Sequence, residues 1–291
     1  MPTKYSISRR TLLSGTAVGL ASACATNGIR AESAPTPDRK GRIRQSVAKW
    51  CFDGRLPFED LCRHAKRIGY QAIDLIGPQD WLTAKKYGLS CAVTPGPGSN
   101  ADGFNRKEHH AVQVAQMKQI IDLAAQAGVP NVSCMSGERK GMSDEEGIRN
   151  CIEGLKQIAG HAEKQRVNIC MEYLNSKVDH KDYQFDHLAF GLAVVRQVGS
   201  PRVGILYDIY HAQIMDGDII RTIGEHHEYF LHYHTAGNPG RNDIDETQEL
   251  YYPAIMRAIA ETGYQGFVAQ EFLPKGDPVR AMEQAFKICD V

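Results

Sequence analysis

The chain has little of what marks a nucleotide-, polyanion- or membrane-binding protein. No apolar segment runs into G-x-G-x-x-G or G-x-x-x-x-G-K-[ST], so neither the dinucleotide fingerprint nor the phosphate-cradling loop is present. Its 34 basic and 34 acidic side chains cancel, which removes any general attraction for nucleic acid or anionic lipid. The eight cysteines include no C-x-x-C pair, leaving a zinc knuckle and a dithiol redox site unsupported. The apolar run from Thr11 to Cys24 falls short of the ~20 residues that span a bilayer, so no stable membrane span is expected. What remains is an ordinary globular composition, 42% hydrophobic and 23% charged. The length of 291 residues suits two modest domains or one large α/β barrel.

The N-terminus differs from the rest. Arg9 and Arg10 precede the apolar run, and Ala23 and Ala25 stand in the A-x-A arrangement that signal peptidases accept. Residues 1–31 are therefore expected to be a twin-arginine export signal, with the periplasm as destination. A lipoprotein anchor at Cys24 is the alternative, against which Ala21 stands where leucine is usual. Residues 32–45, "ESAPTPDRKGRIRQ", are polar, hold two prolines and show no apolar period, as a linker does. Twin-arginine export moves proteins already folded, so the cysteines need not form disulfides. Cys51, Cys91, Cys134 and Cys170 fall in short apolar runs and are expected to be buried thiols.

From Ser46 onward, apolar runs of 5 to 8 residues alternate with longer amphipathic segments, the pattern of βα units. The expected strands are 46–52, 72–77, 90–96, 131–137, 168–175, 203–211, 231–237 and 266–272. Between them lie helices such as "DEEGIRNCIEGLKQIAGHAEKQR", opened by Ser143 and Glu146 as a capping box, and "YYPAIMRAIAETG", closed by Gly263. Eight strands alternating with helices predict an α/β fold, a single-domain (β/α)8 TIM barrel over residues 46–291. A doubly wound open sheet is the runner-up.

In such a barrel the active site lies at the C-terminal ends of the strands. Four consecutive predicted strands each end on a potential ligand: Glu172 in "CMEYLN", Asp208 in "LYDIYH", His234 in "HYHTAG" and Glu271 in "AQEF". The gaps of 36, 26 and 37 residues are each about one βα unit, which sets the four in register at one level. Three carboxylates and one imidazole suit a divalent ion, Mg or Mn by their oxygen excess, with Co or Zn as alternatives. An ion also removes the objection that like charges in a barrel mouth repel. A metal beside carboxylates suits chemistry on adjacent hydroxyl and carbonyl oxygens through an enediolate. Glu172 and Glu271, from separated strands, are assigned the proton transfers, while Asp208 and His234 between them hold the metal. His232 is expected as a hydrogen-bonded core histidine. His226, His227 and the pair His109 and His110 are expected on helix faces, and Tyr207 and Tyr210 are expected to pack.

The stretches "MEYLN", "YDIYHAQIMDGD", "HTAGNPGR" and "GFVAQEF" resemble the signatures of the hydroxypyruvate isomerase family, within the xylose isomerase-like TIM barrels that include the ketohexose 3-epimerases. The likeness runs over the second half of the chain. It implies that Glu172 and Glu271 are the proton donor and acceptor and that Glu172, Asp208, His234 and Glu271 all ligate the metal. It also implies that His211 and Arg241 bind substrate oxygens. The implied activity is an isomerase acting on hydroxypyruvate or a related hydroxycarbonyl compound or sugar. Two loops depart from that pattern, "TPGPGSNADGFN" and "NDIDETQELYY". The remaining alternatives are a ketose 3-epimerase, a phosphodiester-cleaving relative of the same barrel, and an exported sugar-binding barrel without turnover. A homo-oligomer is compatible with the sequence and is not specified by it.

Overall fold

The computed structural model describes residues 40–291. The expected export signal, Cys24 and most of the expected linker lie outside the described residues. The first half of the chain from Arg44 supplies β1 (Arg44–Ala48), a 3-10 turn (Trp50–Phe52), α1 (Phe58–Ile68), β2 (Ala72–Asp74) and α2 (Pro78–Lys86). It continues with β3 (Ser90–Cys91), β4 (Thr94–Pro95), α3 (Lys107–Ala127), β5 (Asn131–Cys134) and α4 (Asp144–Gln165). The second half supplies β6 (Asn168–Glu172), α5 (Leu188–Val198), β7 (Val203–Asp208), α6 (Ile209–Met215) and α7 (Ile219–His226). It ends with β8 (Phe230–Thr235), α8 (Tyr252–Glu261), β9 (Phe267–Gln270) and α9 (Pro278–Cys289).

All strands pair in parallel, in the order β3-β2-β1-β9-β8-β7-β6-β5-β4. The ends of that list, β3 and β4, are the two halves of the single strand expected at 90–96. Cys91 in its first half pairs with Ile73 of β2, and Thr94 in its second half pairs with Val132 of β5. One strand therefore serves both edges and the sheet closes, an eight-fold barrel that leaves no edge unpaired. Asn131 spans the break between the halves, its side-chain amide donating to the Ala92 carbonyl at 2.8 Å.

Several strands are shorter than expected, for a local reason. The expected strand 203–211 stops at Asp208 because the Asp208 side chain accepts the N–H groups of Tyr210 and His211 and so starts α6. The expected strand 46–52 turns after Ala48 into the 3-10 segment, which carries Cys51 out of the sheet and leaves it buried. The seven described cysteines are all buried and unpaired, as expected. At Ser143 the hydroxyl accepts the Glu146 N–H, capping α4 as the sequence indicated. His110 corrects an expectation. It is buried rather than on an open helix face, because its Nε2 bonds the Phe104 carbonyl oxygen at 2.9 Å. Tyr207 packs as expected, stacked on Phe230 with ring centroids 4.3 Å apart. Among the described residues, no helix is long and apolar enough to cross a membrane.

Candidate active site

Glu172 ends β6, Asp208 ends β7, His234 lies near the end of β8, and Glu271 follows β9 by one residue. Each offers a donor atom within 4.8 Å of the others', and all four side chains are buried. They do not share one rung of the ladder. Asp208 pairs with His234, but Glu172 stands opposite Leu206, and His234 stands opposite Ala269. The strands of a closed barrel tilt, so a path around the mouth climbs along the chain as it crosses from strand to strand. The climb here is two residues at β6–β7 and two at β8–β9, an even step that keeps every side chain pointing inward.

Arg241 reaches over this cluster from the turn after β8. Its Nη2 donates to Glu271 Oε2 at 2.7 Å and lies 3.3 Å from Asp208 Oδ2. The turn that places it is a short antiparallel bridge between Gly237 and Asn242. A Cβ on Gly237 would collide with the Asp243 carbonyl oxygen, so no other residue lets the chain double back there. The other oxygen of Glu271, Oε1, accepts the indole N–H of Trp50 at 2.6 Å. Both carboxylate oxygens are thereby oriented.

His211 lies in the first turn of α6, fully buried. The backbone N–H of Asn175 donates to its Nδ1 at 3.1 Å. That acceptor role leaves the ring proton on Nε2, which faces Arg241 Nη1 at 3.0 Å. Both groups face the site as donors, with Asp208 Oδ2 3.5 Å from Nε2, and a ligand oxygen would accept from both. Burial first and Arg241 second hold the His211 pKa well below the usual histidine value, so the ring is neutral.

Asp74, at the end of β2, joins the site without having been expected there. Its Oδ2 accepts from His232 Nε2 and lies 3.3 Å from His234 Nε2. Burial alone would raise the Asp74 carboxyl, but the two histidines outweigh it and bring it down to about 2. An ionised Asp74 beside Nε2 turns the opposite nitrogen of His234, Nδ1, toward the carboxylates. His232 is the hydrogen-bonded interior histidine that strand alternation predicts.

The electrostatics of the cluster favour a cation. Burial, reinforced by the charge of Glu271, pushes the Glu172 carboxyl up to about 8. Burial also raises Asp208, to about 6, against the pull of Arg241. Burial would raise Glu271 as well, but Arg241 and His234 together outweigh it and hold that carboxyl well below the usual range. The protein by itself thus cannot keep all three carboxylates charged at neutral pH. Nδ1 of His234 sits 2.6 Å from Glu271 Oε2 and 3.8 Å from Glu172 Oε1, yet neither ring nitrogen has a hydrogen bond of acceptable angle. A buried, orphaned imidazole nitrogen among three carboxylates is a donor set that fits a divalent ion.

The site residues expected from sequence are therefore brought together: Glu172, Asp208, His234 and Glu271 in one cluster, with His211 and Arg241 against it. Asp208 and His211 also touch directly through the helix cap. Sequence reasoning missed Asp74, Trp50 and Asn175. Asp74 carried the same signal as the others, an acid at a strand end. Trp50 and Asn175 fall within the expected strands 46–52 and 168–175, but the chain leaves the sheet after Ala48 and Glu172, before either residue, and nothing local marks their contacts.

Residues 82–289 match the family described as xylose isomerase-like TIM barrel. A human protein provisionally named as a hydroxypyruvate isomerase is 28% identical over 171 residues, 57% of this chain and 62% of that protein. The match thus spans less than two thirds of that relative's length. A 2-oxo-tetronate isomerase from Haemophilus influenzae is 26% identical over 245 residues, 78% of this chain and 92% of the relative. Among solved structures, an AP endonuclease of family 2 from Brucella melitensis superposes with a TM-score of 0.73 at 24% identity. That superposition covers 82% of this chain and 97% of the other and speaks for the fold alone.

Proposed function

The chain belongs to the xylose isomerase-like TIM barrel family, and from that premise we propose that it is a divalent-metal-dependent isomerase of a hydroxycarbonyl compound or sugar. The observation that carries this reading is the convergence of Glu172, Asp208, His234 and Glu271, with two of the carboxyls pushed in opposite directions. Pairs of carboxyls whose environments drive their pKa values apart are the usual mark of an acid and a base. The names of the two relatives, a hydroxypyruvate isomerase and a 2-oxo-tetronate isomerase, support the same reaction type.

Glu172, Asp208, His234 and Glu271 would hold the ion, Mg or Mn by the oxygen excess of the set. When bound, it would neutralise the carboxylates and stabilise negative charge on adjacent substrate oxygens. The rest falls to the protein. Glu271, kept ionised by Arg241 and oriented by Trp50, takes the proton from the carbon beside the carbonyl. Glu172, on a strand separated from β9 by two others, returns a proton to the enediolate. Return to the neighbouring carbon, with the hydroxyl proton passing to the former carbonyl oxygen, gives an aldose–ketose shift. Return to the opposite face of the same carbon gives epimerisation, the second reading that this placement of the two glutamates supports. His211 Nε2–H and Arg241 donate to substrate oxygens.

The test is incubation with hydroxycarbonyl compounds and sugars in deuterated water with Mg, Mn, Co or Zn, following loss of the α-proton signal. Exchange in no combination would leave only a binding role. Ion binding is expected to show separately as stabilisation of about 2.7 kcal/mol when the ion is at a hundred times its Kd. Asp74→Asn, which removes the negative charge 3.3 Å from His234 Nε2, should weaken ion affinity about 10- to 100-fold by calorimetry; unchanged affinity would remove Asp74 from the site's support. Export by the twin-arginine pathway to the periplasm belongs to the same proposal, on the support of Arg9, Arg10 and the apolar run. Replacing both arginines by lysine should leave the protein in the cytoplasmic fraction, and unaltered partition would refute the export route.

A further inference from the structure

Outside the barrel, between α2 and the C-terminal end of α3, lies a cavity of about 420 Å3. It shares no lining residue with the cavity of about 380 Å3 over Glu172 and Glu271. Trp81 and Leu82 of α2 line it on one side, Ala127 at the end of α3 and Val129 on the other. Cys91 of β3 also lines it, so the cavity reaches inward as far as the sheet itself.

The polar atoms of these walls are engaged within the protein. Trp81 donates its indole N–H to the Ile76 carbonyl oxygen at 3.0 Å, and the Cys91 thiol donates to the Val93 carbonyl oxygen at 3.2 Å. Both side chains therefore offer an occupant apolar surface. Leu82, 78% exposed, is the most exposed large hydrophobic residue of the described chain, and an apolar hollow with such a residue beside it gains by being covered. The one charged residue lining the cavity is Lys85. Its neighbour Lys86 pairs with Glu59. Lys85 lies on a different face of the helix and has no ion-pair partner among the described residues. A volume within roughly 300–1,000 Å3, apolar walls and a single placed charge are the attributes of a small-molecule site. One lysine is too little charge for an anionic membrane surface, which is met by clusters of about 4–8 basic residues.

We propose that the cavity between α2 and α3 is a second ligand site, for a small free carboxylate with an aromatic or medium-length aliphatic body. The body lies against Trp81 and Cys91, and the carboxylate pairs with Lys85. The proposal does not depend on the isomerase reading. Trp81 is tied to Ile76, two residues beyond Asp74, so an occupant bears on the segment that carries Asp74 toward His234.

The test is calorimetric titration of the full chain, without added ion, using 4-phenylbutyrate and its neutral amide as probes. The acid should bind at one site and about threefold or more tighter than the amide, the reach of one solvent-exposed ion pair. Lys85→Met should bring the acid down to the affinity of the amide. Ala127→Trp, an exposed position at a helix end whose replacement fills the cavity, should abolish binding of both probes with the melting temperature unchanged. Hydrogen exchange should slow on binding in the peptide spanning residues 74–91. Absence of binding at millimolar probe, equal affinity for acid and amide, binding that survives Ala127→Trp, or slowed exchange confined to other segments each overturns the proposal. Self-association of the chain that Ala127→Trp removes also overturns it, because a second copy would then be the occupant.

Discussion

Glu271→Gln is expected to abolish solvent deuterium exchange into the α-carbon of any substrate, by about 10²- to 10⁴-fold, the share that a positioned acid or base contributes. The amide preserves the shape of the side chain and can still accept the Trp50 N–H that now reaches Oε1 at 2.6 Å. It cannot take a proton. Glu172→Gln should fall as far for the complementary reason, since an amide cannot return one. The two variants differ in a second readout. Loss of either glutamate should weaken ion binding, but Glu271 is paired with Arg241 and lies 2.6 Å from His234, so its loss should also lower the melting temperature of the ion-free protein. Glu172 carries a raised pKa, so removing its charge should raise the stability of the ion-free protein. Full exchange by both variants would sink the two-carboxylate mechanism.

Arg241→Met should cost the ion-free protein about 3–5 kcal/mol in denaturant unfolding at neutral pH, the usual consequence of removing one partner from a buried ion pair. The guanidinium is 11% exposed in its side chain, while Asp208 and Glu271 beneath it are 1% and 3% exposed. Methionine fills much of the volume and leaves two buried carboxylates without the guanidinium that pairs with both. The pH dependence follows from the sign of the Glu271 shift. Its carboxyl is held below the ordinary 4.5 in the folded protein, so pairing stabilises above that value and the benefit fades as pH falls through the folded pKa. The gap between wild type and variant should therefore be widest above about pH 5 and close toward acid. A bound divalent ion should narrow it at neutral pH by supplying the missing charge. A gap independent of both pH and ion would mean that Arg241 acts by packing alone.

Much of this was legible in the chain. The strand expected at 168–175 includes β6, the one at 203–211 includes β7, and 266–272 includes β9, because continuous apolar runs between amphipathic helices admit little else in a parallel sheet. Strand ends were less legible. Asp208 is a site residue and a helix cap at once, and a cap is a local hydrogen bond that ends an apolar run without changing its pattern. The ladder register behind the shared level of the four ligands was not legible either: Glu172 and Glu271 each stand two residues from the ladder partners of Asp208 and His234, and strand tilt brings the four together.

Residue type and spacing thus determined, without coordinates, that this chain builds alternating βα units and that four of its strands end on an acid or a histidine. Those are properties of neighbouring residues and of periodic burial, which short segments carry in themselves. Closure of the barrel decided the rest. Only the tilt of the strands brings donors from staggered rungs within 4.8 Å of one another, and only the closed circle sets Asp74 of β2 behind His234 of β8. Trp50 likewise meets Glu271 across 221 positions of sequence. Contacts of that separation are fixed by the geometry of the whole sheet, and no local pattern in the chain records them.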